Sequence, residues 1–381
     1  MPHIESRRFV ENDKDELNDL YNLVAGRSRT VKQFEWEWLN TPEGWGSMWL
    51  LEDMDRSKII GHHGLIPVRF SYYGRDILAG KTENTVMHPD YRGKGIYYPF
   101  EVKFHEEAKE RFQLLFTTAG VLEQGSIRLK LGYANVGGYV NYVRVVKSVY
   151  LHKWLAGIVR SKGYNRFVVT LIAIASRVSG VFAMPFFLKR SYIDKAVKLE
   201  RITDIGTVSD ELDRFWDRNR DKFGITADRN SRYLKWRIFE NPNLEYDFYI
   251  ARRQGDVVGY AILKLSGEAG AQMGSVVDLV ADDNNQVLFN SIMAGVESEL
   301  KENGVYAIHF FTLSSDNALN RALKRNGFVS LSRLEGIVRR ITKERAERLM
   351  AKAIGNNVDQ AKVADPACWY FTDMLMEGVR S

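Results

Sequence analysis

The most informative part of the sequence is Val86-Met87-His88-Pro89-Asp90-Tyr91-Arg92-Gly93-Lys94-Gly95-Ile96. An apolar strand end runs into His88-Pro89 and then into a short loop with two glycines and two basic residues, and the pattern becomes helical from Ile96. Glycines let the backbone approach a ligand closely, and the N–H groups at the start of a helix converge on negative charge. Arg92 and Lys94 add charge-assisted hydrogen bonds. This layout predicts an anion site.

The loop matches neither of two common phosphate-binding motifs. It lacks the Gly-x-x-x-x-Gly-Lys-Ser/Thr of the P-loop and the Gly-x-Gly-x-x-Gly of dinucleotide-binding folds. It resembles the acetyl-CoA pyrophosphate loop of the GCN5-related N-acetyltransferases (GNATs), whose motif A reads Val-x-Pro-x-x-Arg-Gly-x-Gly-Ile/Leu. His88, which precedes the proline, is the one departure, and the family commonly allows it. The alternative is a basic glycine turn between a strand and a helix, without a ligand.

Length and composition narrow the class of protein. A chain of 381 residues with 45% hydrophobic and 12% aromatic residues predicts two to three globular domains. The single cysteine, Cys368, excludes an intramolecular disulfide and a cysteine cluster for metal binding. The start, Met1 to Asn12, is polar and predicts no secretory signal. We therefore expect a cytoplasmic protein without a metal.

The net charge of +6 is concentrated in one segment. Between Arg144 and Arg201 there are twelve basic residues against two acids. Because the sequence contains no recognised nucleic-acid module and no repeated interleaving of aromatic and basic residues, it predicts no nucleic-acid partner.

The first 150 residues alternate between helical and strand patterns. The spacing of apolar residues predicts an amphipathic helix from Asp13 to Ala25, a second helix from Tyr97 to Arg111 and a third near Gln124 to Leu131. Predicted strands are Ser47 to Glu52, Lys58 to Tyr72, Ile77 to Met87 and Leu114 to Thr118.

Residues of the first half recur about 200 positions later. The pairs are Trp36 and Trp236, Leu39 and Phe239, Pro42 and Pro242, and Lys58-Ile59-Ile60-Gly61 and Asp256-Val257-Val258-Gly259. Such a repeat predicts two copies of one fold. The alternative is a chance similarity of aromatic strands.

The second copy differs where a ligand would bind. The stretch that corresponds to Val86–Ile96 is Val277–Val287, which has no glycine and no basic residue but contains Asp282 and Asp283. Negative charge there would repel a pyrophosphate. Phe328 also replaces the phenol of Tyr133. We expect the second copy not to bind CoA.

An apolar stretch, Phe167 to Leu188, lies between the copies and contains Arg177 near its middle. Its length would allow a transmembrane helix, but the central arginine is unfavourable in a bilayer. The basic residues at residues 160–190 would suit peripheral contact with an anionic membrane surface. The other interpretation is a helix packed between the two domains or against a second subunit.

Residues 51–150 resemble the tandem-domain branch of the GNATs, which includes enhanced-intracellular-survival-type and polysaccharide-biosynthesis-associated enzymes. The resemblance is carried by Gly61-His62-His63-Gly64-Leu65-Ile66-Pro67-Val68, by the loop, and by Leu131-Gly132-Tyr133. It implies an α/β (α+β) fold with two tandem GNAT-type domains, each a mixed, mostly antiparallel, splayed sheet flanked by helices, with a basic helical insertion between them. The implied division is a catalytic domain at 1–150, a linker at 151–200, a degenerate domain at 201–345 and a tail at 346–381.

The resemblance also implies roles for individual residues. The backbone of Val86 and Met87 would contact the pantetheine of acetyl-CoA, and Arg92, Gly93, Lys94, Gly95 and Ile96 would hold the pyrophosphate. Tyr133 would protonate the leaving thiolate, although it could instead be a core aromatic residue behind a helix-capping glycine. Glu83 is a candidate general base, with a salt-bridge partner as the alternative.

The implied function is an acyl-CoA-dependent N-acyltransferase that moves an acetyl group directly from acetyl-CoA to an amino group of a small molecule, amino sugar or peptide. Two alternatives stay open. One is a Fem-like aminoacyl- or peptidyl-transferase, and the other is a non-catalytic scaffold at a membrane-associated glycan assembly complex. An oligomer is compatible with either.

Overall fold

The computed structural model describes residues 3–119, 122–146, 192–266, 273–315, 317–330 and 348–376. The apolar stretch Phe167 to Leu188, with its three interpretations, lies outside the described residues. In the part of the chain that the structure describes, no helix is both long enough and apolar enough to cross a bilayer.

The elements follow one another along the chain as follows. The strands are β1 (Ile4–Arg8), β2 (Ser47–Asp53), β3 (Lys58–Tyr72), β4 (Arg75–Met87), β5 (Leu114–Ala119), β6 (Ala134–Val145), β7 (Val197–Ile202), β8 (Ile225–Ala227), β9 (Asp247–Arg253), β10 (Asp256–Ser266), β11 (Met273–Ala281), β12 (Ala307–Leu313), β13 (Val329–Ser330) and β14 (Arg348–Ala353). The helices are α1 (Lys14–Ala25), α2 (Val31–Trp38), α3 (Tyr97–Ala108), α4 (Leu122–Lys130), α5 (Ser209–Asn219), α6 (Ser231–Leu234), α7 (Gln286–Glu302), α8 (Ala318–Arg325) and α9 (Gln360–Ala364). A π-helical turn, Lys235–Phe239, continues α6.

The strands form one mixed sheet in the order β1-β2-β3-β4-β5-β14-β6-β12-β11-β10-β9-β7. Within the described residues, only the β4–β5 and β11–β12 pairs are parallel, and the other strand pairs are antiparallel. Helices α1 and α2 pack on one face of the first half, while α3 packs on the other. The predicted fold class, an α/β sheet that is mostly antiparallel and flanked by helices, is confirmed.

The predicted strands of the first half lie within one or two residues of the observed ones. The turn between β3 and β4 is shorter than the four residues, 73–76, that separate the two predicted strands, because Tyr73 (φ 50°) and Gly74 (φ 83°) both adopt the left-handed conformation. Two such residues form the turn that matches the twist of paired strands, so β4 starts at Arg75.

Each half places its strands in the same order. In the first half β1 to β5 lie side by side, with α3 connecting the parallel strands β4 and β5. In the second half β7 and β9 to β12 repeat this order, with α7 connecting β11 and β12. Strand β6 joins the halves, since Ala134–Gly138 pair with β14 and Tyr139–Val145 pair with β12. The segment from residue 346 onward thus supplies a central strand, β14, between β5 and β6.

Two tryptophans at equivalent positions bind each other across the halves. The indole N–H of Trp36 donates to the carbonyl oxygen of Trp236 at 2.9 Å, and the indole N–H of Trp236 donates to the carbonyl oxygen of Trp36 at 3.0 Å. Their rings stack with centroids 5.1 Å apart. This reciprocal pair is the spatial counterpart of the 200-residue repeat.

Replacing one member of this pair should destabilise the fold. Trp36→Phe leaves the buried carbonyl oxygen of Trp236 without its donor, so we expect the free energy of unfolding to fall by about 1–3 kcal/mol. Trp45, which is half exposed, gives the matched control, and Trp45→Phe should change stability by about 0.5 kcal/mol or less. Urea unfolding followed by circular dichroism measures both, and equal effects would contradict the role of the reciprocal bonds.

Candidate functional site

The loop after β4 has a backbone that only glycine adopts without strain. Gly93 and Gly95 have φ angles of 73° and 75°, in the left-handed region. A Cβ atom added at either position would meet nothing within 4 Å, so the requirement for glycine comes from the backbone conformation and from the open space beside it. That open space leaves the loop accessible to a ligand.

Cationic side chains and helix N–H groups meet at this loop. No side chain caps the start of α3 at Ile96 among the described residues, so the first N–H groups of the helix point toward the loop. Arg92 and Lys94 are exposed beside them. The Arg92 Nε donates to the carbonyl oxygen of Met87 at 3.1 Å, and the Lys94 Nζ lies 4.9 Å above the ring of Tyr91. The arrangement is chemically suited to a negatively charged group.

A gap opens in the sheet next to the loop. Strands β4 and β5 pair only through Ala79–Lys81 and Leu114–Phe116, and β4 then continues alone on this side to Met87. The backbone from Thr82 to Met87 therefore has no β5 partner within the described residues. Unpaired strand edges of this kind can accept an extended ligand. Val86 and Met87 lie at the loop end of the gap.

A β-bulge lies in the part of β4 that borders the gap. Gly64 pairs with Glu83 and His62 pairs with Val86, so Asn84 and Thr85 together lie opposite one residue of β3. Asn84 has a φ of 50°. Bulges re-aim the backbone and side chains of a strand and are frequent beside active sites.

In the second half the helix that corresponds to α3 already has a cap. The Asn285 Oδ1 accepts hydrogen bonds from the N–H groups of Val287 at 2.8 Å and Leu288 at 3.2 Å. Asp282 and Asp283 precede this cap in the same turn. The cap therefore takes up the first N–H groups of α7, and the nearby cations Arg218 and Lys222 are paired with Asp282 and Asp283 at 3.2 Å and 3.7 Å.

The gap of the second half is filled by the chain itself. Residues 369–376 lie against the diverging ends of β11 and β12, where the Tyr370 hydroxyl donates to the carbonyl oxygen of Leu279. The Thr372 hydroxyl donates to Asp278 at 2.8 Å, and the Thr312 hydroxyl donates to the carbonyl oxygen of Phe371 at 2.8 Å. The two halves are thus open and closed versions of one arrangement.

A buried polar cluster lies on the α3 face of the gap. Glu101 is its centre and accepts hydrogen bonds from the Tyr97 hydroxyl and from the Arg128 guanidinium. The His63 Nδ1 lies 3.3 Å from the Glu101 Oε1. Burial alone would raise the pKa of Glu101, but His63 and Arg128 lower it to about 2. The carboxylate is therefore charged although no part of it is exposed.

Sequence reasoning did not identify this cluster. Its available signal was the pair Glu101 and His105, which are four residues apart on α3 and share a face with the apolar residues Phe100 and Phe104. Polar residues on the buried face of a helix need partners, and that need could have pointed to a network.

Tyr133, the predicted acid, belongs to this cluster. Its hydroxyl lies 3.3 Å from the His105 Nε2, and the guanidinium of Arg128 lies 5.5 Å from the centre of its ring. Burial raises the pKa of Tyr133 well above its ordinary value, while burial lowers the pKa of His105 to about 3. The phenol is protonated and the imidazole is neutral near pH 7.

Glu83, the predicted base, lies on the opposite face of the sheet. It forms an ion pair with Lys81 and lines a cavity of about 30 Å³, enough for a water molecule. Both halves supply the walls of this cavity, among them Trp36, Tyr233, Trp236, Arg237 and Leu375. The structure thus places Glu83 between the halves and Tyr133 behind the gap, and does not bring the two together.

Comparison with solved structures identifies the fold. The chain aligns with a GCN5-related N-acetyltransferase from Anabaena variabilis at a TM-score of 0.63 and 10% identity, covering 95% of this chain and 75% of that one. It aligns with one from Kribbella flavida at 0.57 and 11% identity, covering 96% and 74%. A conserved protein from Enterococcus faecalis, described as a probable N-acyltransferase, aligns at 0.61 and 12% identity, covering 93% and 73%. The chain has the GNAT fold. No protein-family model and no curated protein matches the sequence.

In this GNAT fold, we find no group of three or more potential metal ligands among the residues that the structure describes. His62 and His63 point to opposite faces of β3, where His62 packs edge-on against Trp38 and His63 stacks on Phe104. The two adjacent histidines therefore do not share a ligand.

The buried histidines predict that stability falls on acidification. Burial lowers the pKa values of His62 and His105 to about 3 and also lowers that of His63. Below pH 6.5 the unfolded chain takes up protons that the folded chain excludes, so each such histidine should reduce the free energy of unfolding by about 1.4 kcal/mol per pH unit. The stabilisation that comes from the lowered pKa of Glu101 is lost only as the pH falls below about 4.5.

Urea unfolding at pH 6.0, 5.5 and 5.0 measures this dependence. His62→Gln should lower by about one the number of protons taken up on unfolding, and so reduce the slope of the free energy of unfolding against pH. His3→Gln gives the substitution control, because it removes a histidine that is exposed rather than buried. A slope that is identical in wild type and His62→Gln would contradict the neutral, buried state of His62.

Proposed function

We propose that this protein is an acetyl-CoA-dependent N-acyltransferase that transfers an acetyl group directly to an amino group of a small molecule, amino sugar or peptide. The observation that carries the proposal is the combination, in one half, of an open gap in the sheet with a glycine-rich cationic loop at an uncapped helix start. The GNAT fold supports it, because the gap and the loop are the parts of the fold that its motif A describes.

The donor would bind along the gap. Backbone groups of Val86 and Met87 would pair with the pantetheine amides as an added strand does at a sheet edge. The loop Arg92-Gly93-Lys94-Gly95-Ile96 would hold the pyrophosphate through backbone N–H groups, two cations and the helix dipole. The thioester would then lie near the bulge of β4, between the loop and the cavity.

In this proposal each chain has one active site, in the first half. The second half cannot offer the same site, because residues 369–376 fill its gap and Asn285 caps its helix. Its role would be to complete the wall of the cavity that contains Glu83. This division is that of the tandem-domain branch, with the catalytic domain at 1–150 and the degenerate domain at 201–345.

The reaction would be direct attack of a neutral amine on the thioester carbonyl. The C–N bond forms, the tetrahedral intermediate collapses, and the C–S bond breaks to release the CoA thiolate. Backbone N–H groups that face the gap would stabilise the oxyanion. Tyr133 would donate its proton to the thiolate, and Glu83, through a water in the cavity, would accept the proton that the ammonium group loses.

The alternatives receive less support. Fem-like aminoacyl-transferases usually lack an intact pyrophosphate loop, whereas this chain retains the arginine, the lysine and both glycines. The scaffold and the peripheral membrane contact rest on residues 160–190, which lie outside the described residues. The proposed partners are therefore acetyl-CoA and an amine acceptor.

Donor binding tests the proposal most directly. We expect isothermal titration calorimetry to detect acetyl-CoA binding to wild-type protein and to show at least about a tenfold loss for Arg92→Glu, because a charge-assisted contact worth about 1.5–3 kcal/mol becomes repulsive. Gly95→Ala should also weaken binding, since alanine disfavours the left-handed backbone of the loop.

The chain offers a matched control for the glycine variant. Gly304 has a φ of 77° and open space around it, but it lies in the second half after α7. Gly304→Ala carries the same backbone strain and should bind acetyl-CoA as wild type does. Absence of binding by wild type, or identical binding by wild type and Arg92→Glu, would refute the proposed donor site.

A second variant tests the proposed acid. Tyr133→Phe removes only the hydroxyl, so turnover should fall by about a hundredfold while the affinity for acetyl-CoA stays nearly unchanged. Release of free thiol from acetyl-CoA, in the presence of an amine selected from a screen of acceptors, measures turnover. Tyr98→Phe, on the exposed face of α3, is the control. An unchanged rate in Tyr133→Phe would assign Tyr133 to packing alone.

A further inference from the structure

We infer that Arg29, Glu37 and His62 hold Asn84 in its left-handed conformation, and that they thereby position the backbone of β4 at the donor thioester. These four residues are called the bulge clamp below. The inference rests on the proposed function, because the proposed function places the thioester. The inference adds positioning residues to that site. Neither the motif nor the repeat in the sequence indicates them.

The side chain and the carbonyl group of Asn84 are both held. Its Nδ2 donates to the Glu37 Oε2 at 2.9 Å, and its carbonyl oxygen accepts a hydrogen bond from the His62 Nδ1 at 2.9 Å. Burial lowers the pKa of His62 to about 3, so the ring is neutral and its proton is placed on Nδ1 by this bond. Asn84 is therefore fixed through its side-chain amide and through its backbone carbonyl group.

Glu37 is itself held by a buried arginine. The Arg29 Nη1 donates to the Glu37 Oε2 at 2.8 Å, and the two side chains are 4% and 6% exposed. The Arg29 Nε donates to the Asn18 Oδ1 of α1 at 2.7 Å. A buried ion pair is weak evidence for stability, because desolvation offsets its attraction. A role in fixing the geometry of β4 accounts for its position next to the bulge.

The conformation of Asn84 decides where the β4 backbone points. A left-handed φ is unfavourable for a residue with a side chain, and it persists only where the surroundings enforce it. The bulge lies just after Lys81, where pairing with β5 ends, and before Val86, where the added strand would begin. A relaxed, extended Asn84 would remove the bulge and rotate the following N–H and C=O groups away from the gap.

The second half provides an internal comparison. Arg229, 200 residues after Arg29, binds Asp278 on β11 directly, with 2.9 Å between Nε and Oδ2. The position equivalent to Glu37 is Arg237, which donates to the carbonyl oxygens of Met374 at 3.0 Å and Met376 at 2.9 Å. The buried arginine occurs in both halves. The strand that borders the gap is bulged in both halves, since the register of β11 against β10 also shifts between Ile262 and Leu263. Beside the open gap the carboxylate of Glu37 contacts the bulge, whereas its counterpart Arg237 contacts the segment that fills the closed gap.

Two substitutions of Asn84 separate conformation from side-chain chemistry. Asn84→Gly loses the contact with Glu37 but adopts the left-handed conformation freely, so kcat should stay within about threefold of wild type. Asn84→Ala loses the contact and disfavours that conformation, so kcat should fall at least about tenfold. Asn84→Gly should bind acetyl-CoA within about twofold of wild type in calorimetry. Asn84→Ala should bind it several-fold more weakly, because Val86 and Met87, which follow the bulge, would no longer present their backbone groups to the pantetheine.

Glu37→Gln supplies a rescue test. It weakens the hold on Asn84 and should lower kcat, and addition of Asn84→Gly to the same chain should restore kcat toward the wild-type value. A merely structural role for Glu37 predicts no such rescue. Should Glu37→Gln fail to fold because Arg29 is left unpaired, the Asn84 pair still decides the question. Thermal unfolding of every variant identifies that case.

Asn284 is the matched control for backbone strain. It has a φ of 51°, is exposed, and lies in the second half. Asn284→Ala and Asn284→Gly should differ in unfolding temperature but not in kcat. Turnover is measured as free thiol released from acetyl-CoA with the selected amine. The clamp would be overturned if wild type is active and Asn84→Ala turns over as fast as wild type. It would also be overturned if Asn84→Ala and Asn84→Gly lower kcat equally. Failure of wild type to bind acetyl-CoA would instead overturn the proposed function.

Discussion

Two parallel strand pairs diverge within this sheet, and each divergence leaves backbone N–H and C=O groups without a neighbouring strand. Such groups need partners because an unpaired polar group away from water is costly. In the second half residues 369–376 lie at the divergence, where the Tyr370 hydroxyl donates to the carbonyl oxygen of Leu279 and Phe371 and Thr372 bond to side chains of β12 and β11. In the first half no segment of the described chain lies beside β4 beyond Lys81, the Arg92 Nε donates to the carbonyl oxygen of Met87, and a cationic loop stands at the end of the gap. The difference between a filled and an open gap gives the molecule its asymmetry.

The shared sheet explains how the closed half serves the open one. Strand β6 pairs with both β14 and β12, so the two halves have no independent edge where they meet. The reciprocal bonds of Trp36 and Trp236 fix the opposite side of the junction. A cavity remains between them, and Glu83 lines it from the first half. The second half therefore supplies part of the wall around Glu83.

The sequence predicted the parts of this arrangement that depend on local pattern. The strands from Ser47 to Met87 and the helix after the loop follow from apolar spacing and turn chemistry. The repeat was predicted from residues that recur at a spacing of 200, among them two tryptophans that contact each other reciprocally in the structure. By contrast, the insertion of β14 between β5 and β6 and the filling of the second gap depend on pairings between distant segments. Local periodicity carries no information on such pairings. Asn84 was also out of reach, because an asparagine within a strand pattern does not specify a bulge.

The same backbone can serve opposite purposes when a few charges change. Position 37 carries a carboxylate that binds the amide of Asn84, while position 237 carries a guanidinium that binds carbonyl oxygens of the filling segment. The loop after β4 carries an arginine and a lysine, while the turn after β11 carries two aspartates and an asparagine cap. At these positions the residue type matches its contacts: Glu37 accepts from the amide of Asn84, whereas Arg237 donates to carbonyl groups of the segment that fills the second gap. The buried arginines Arg29 and Arg229 occur in both halves, whereas the groups that face the gap differ between them.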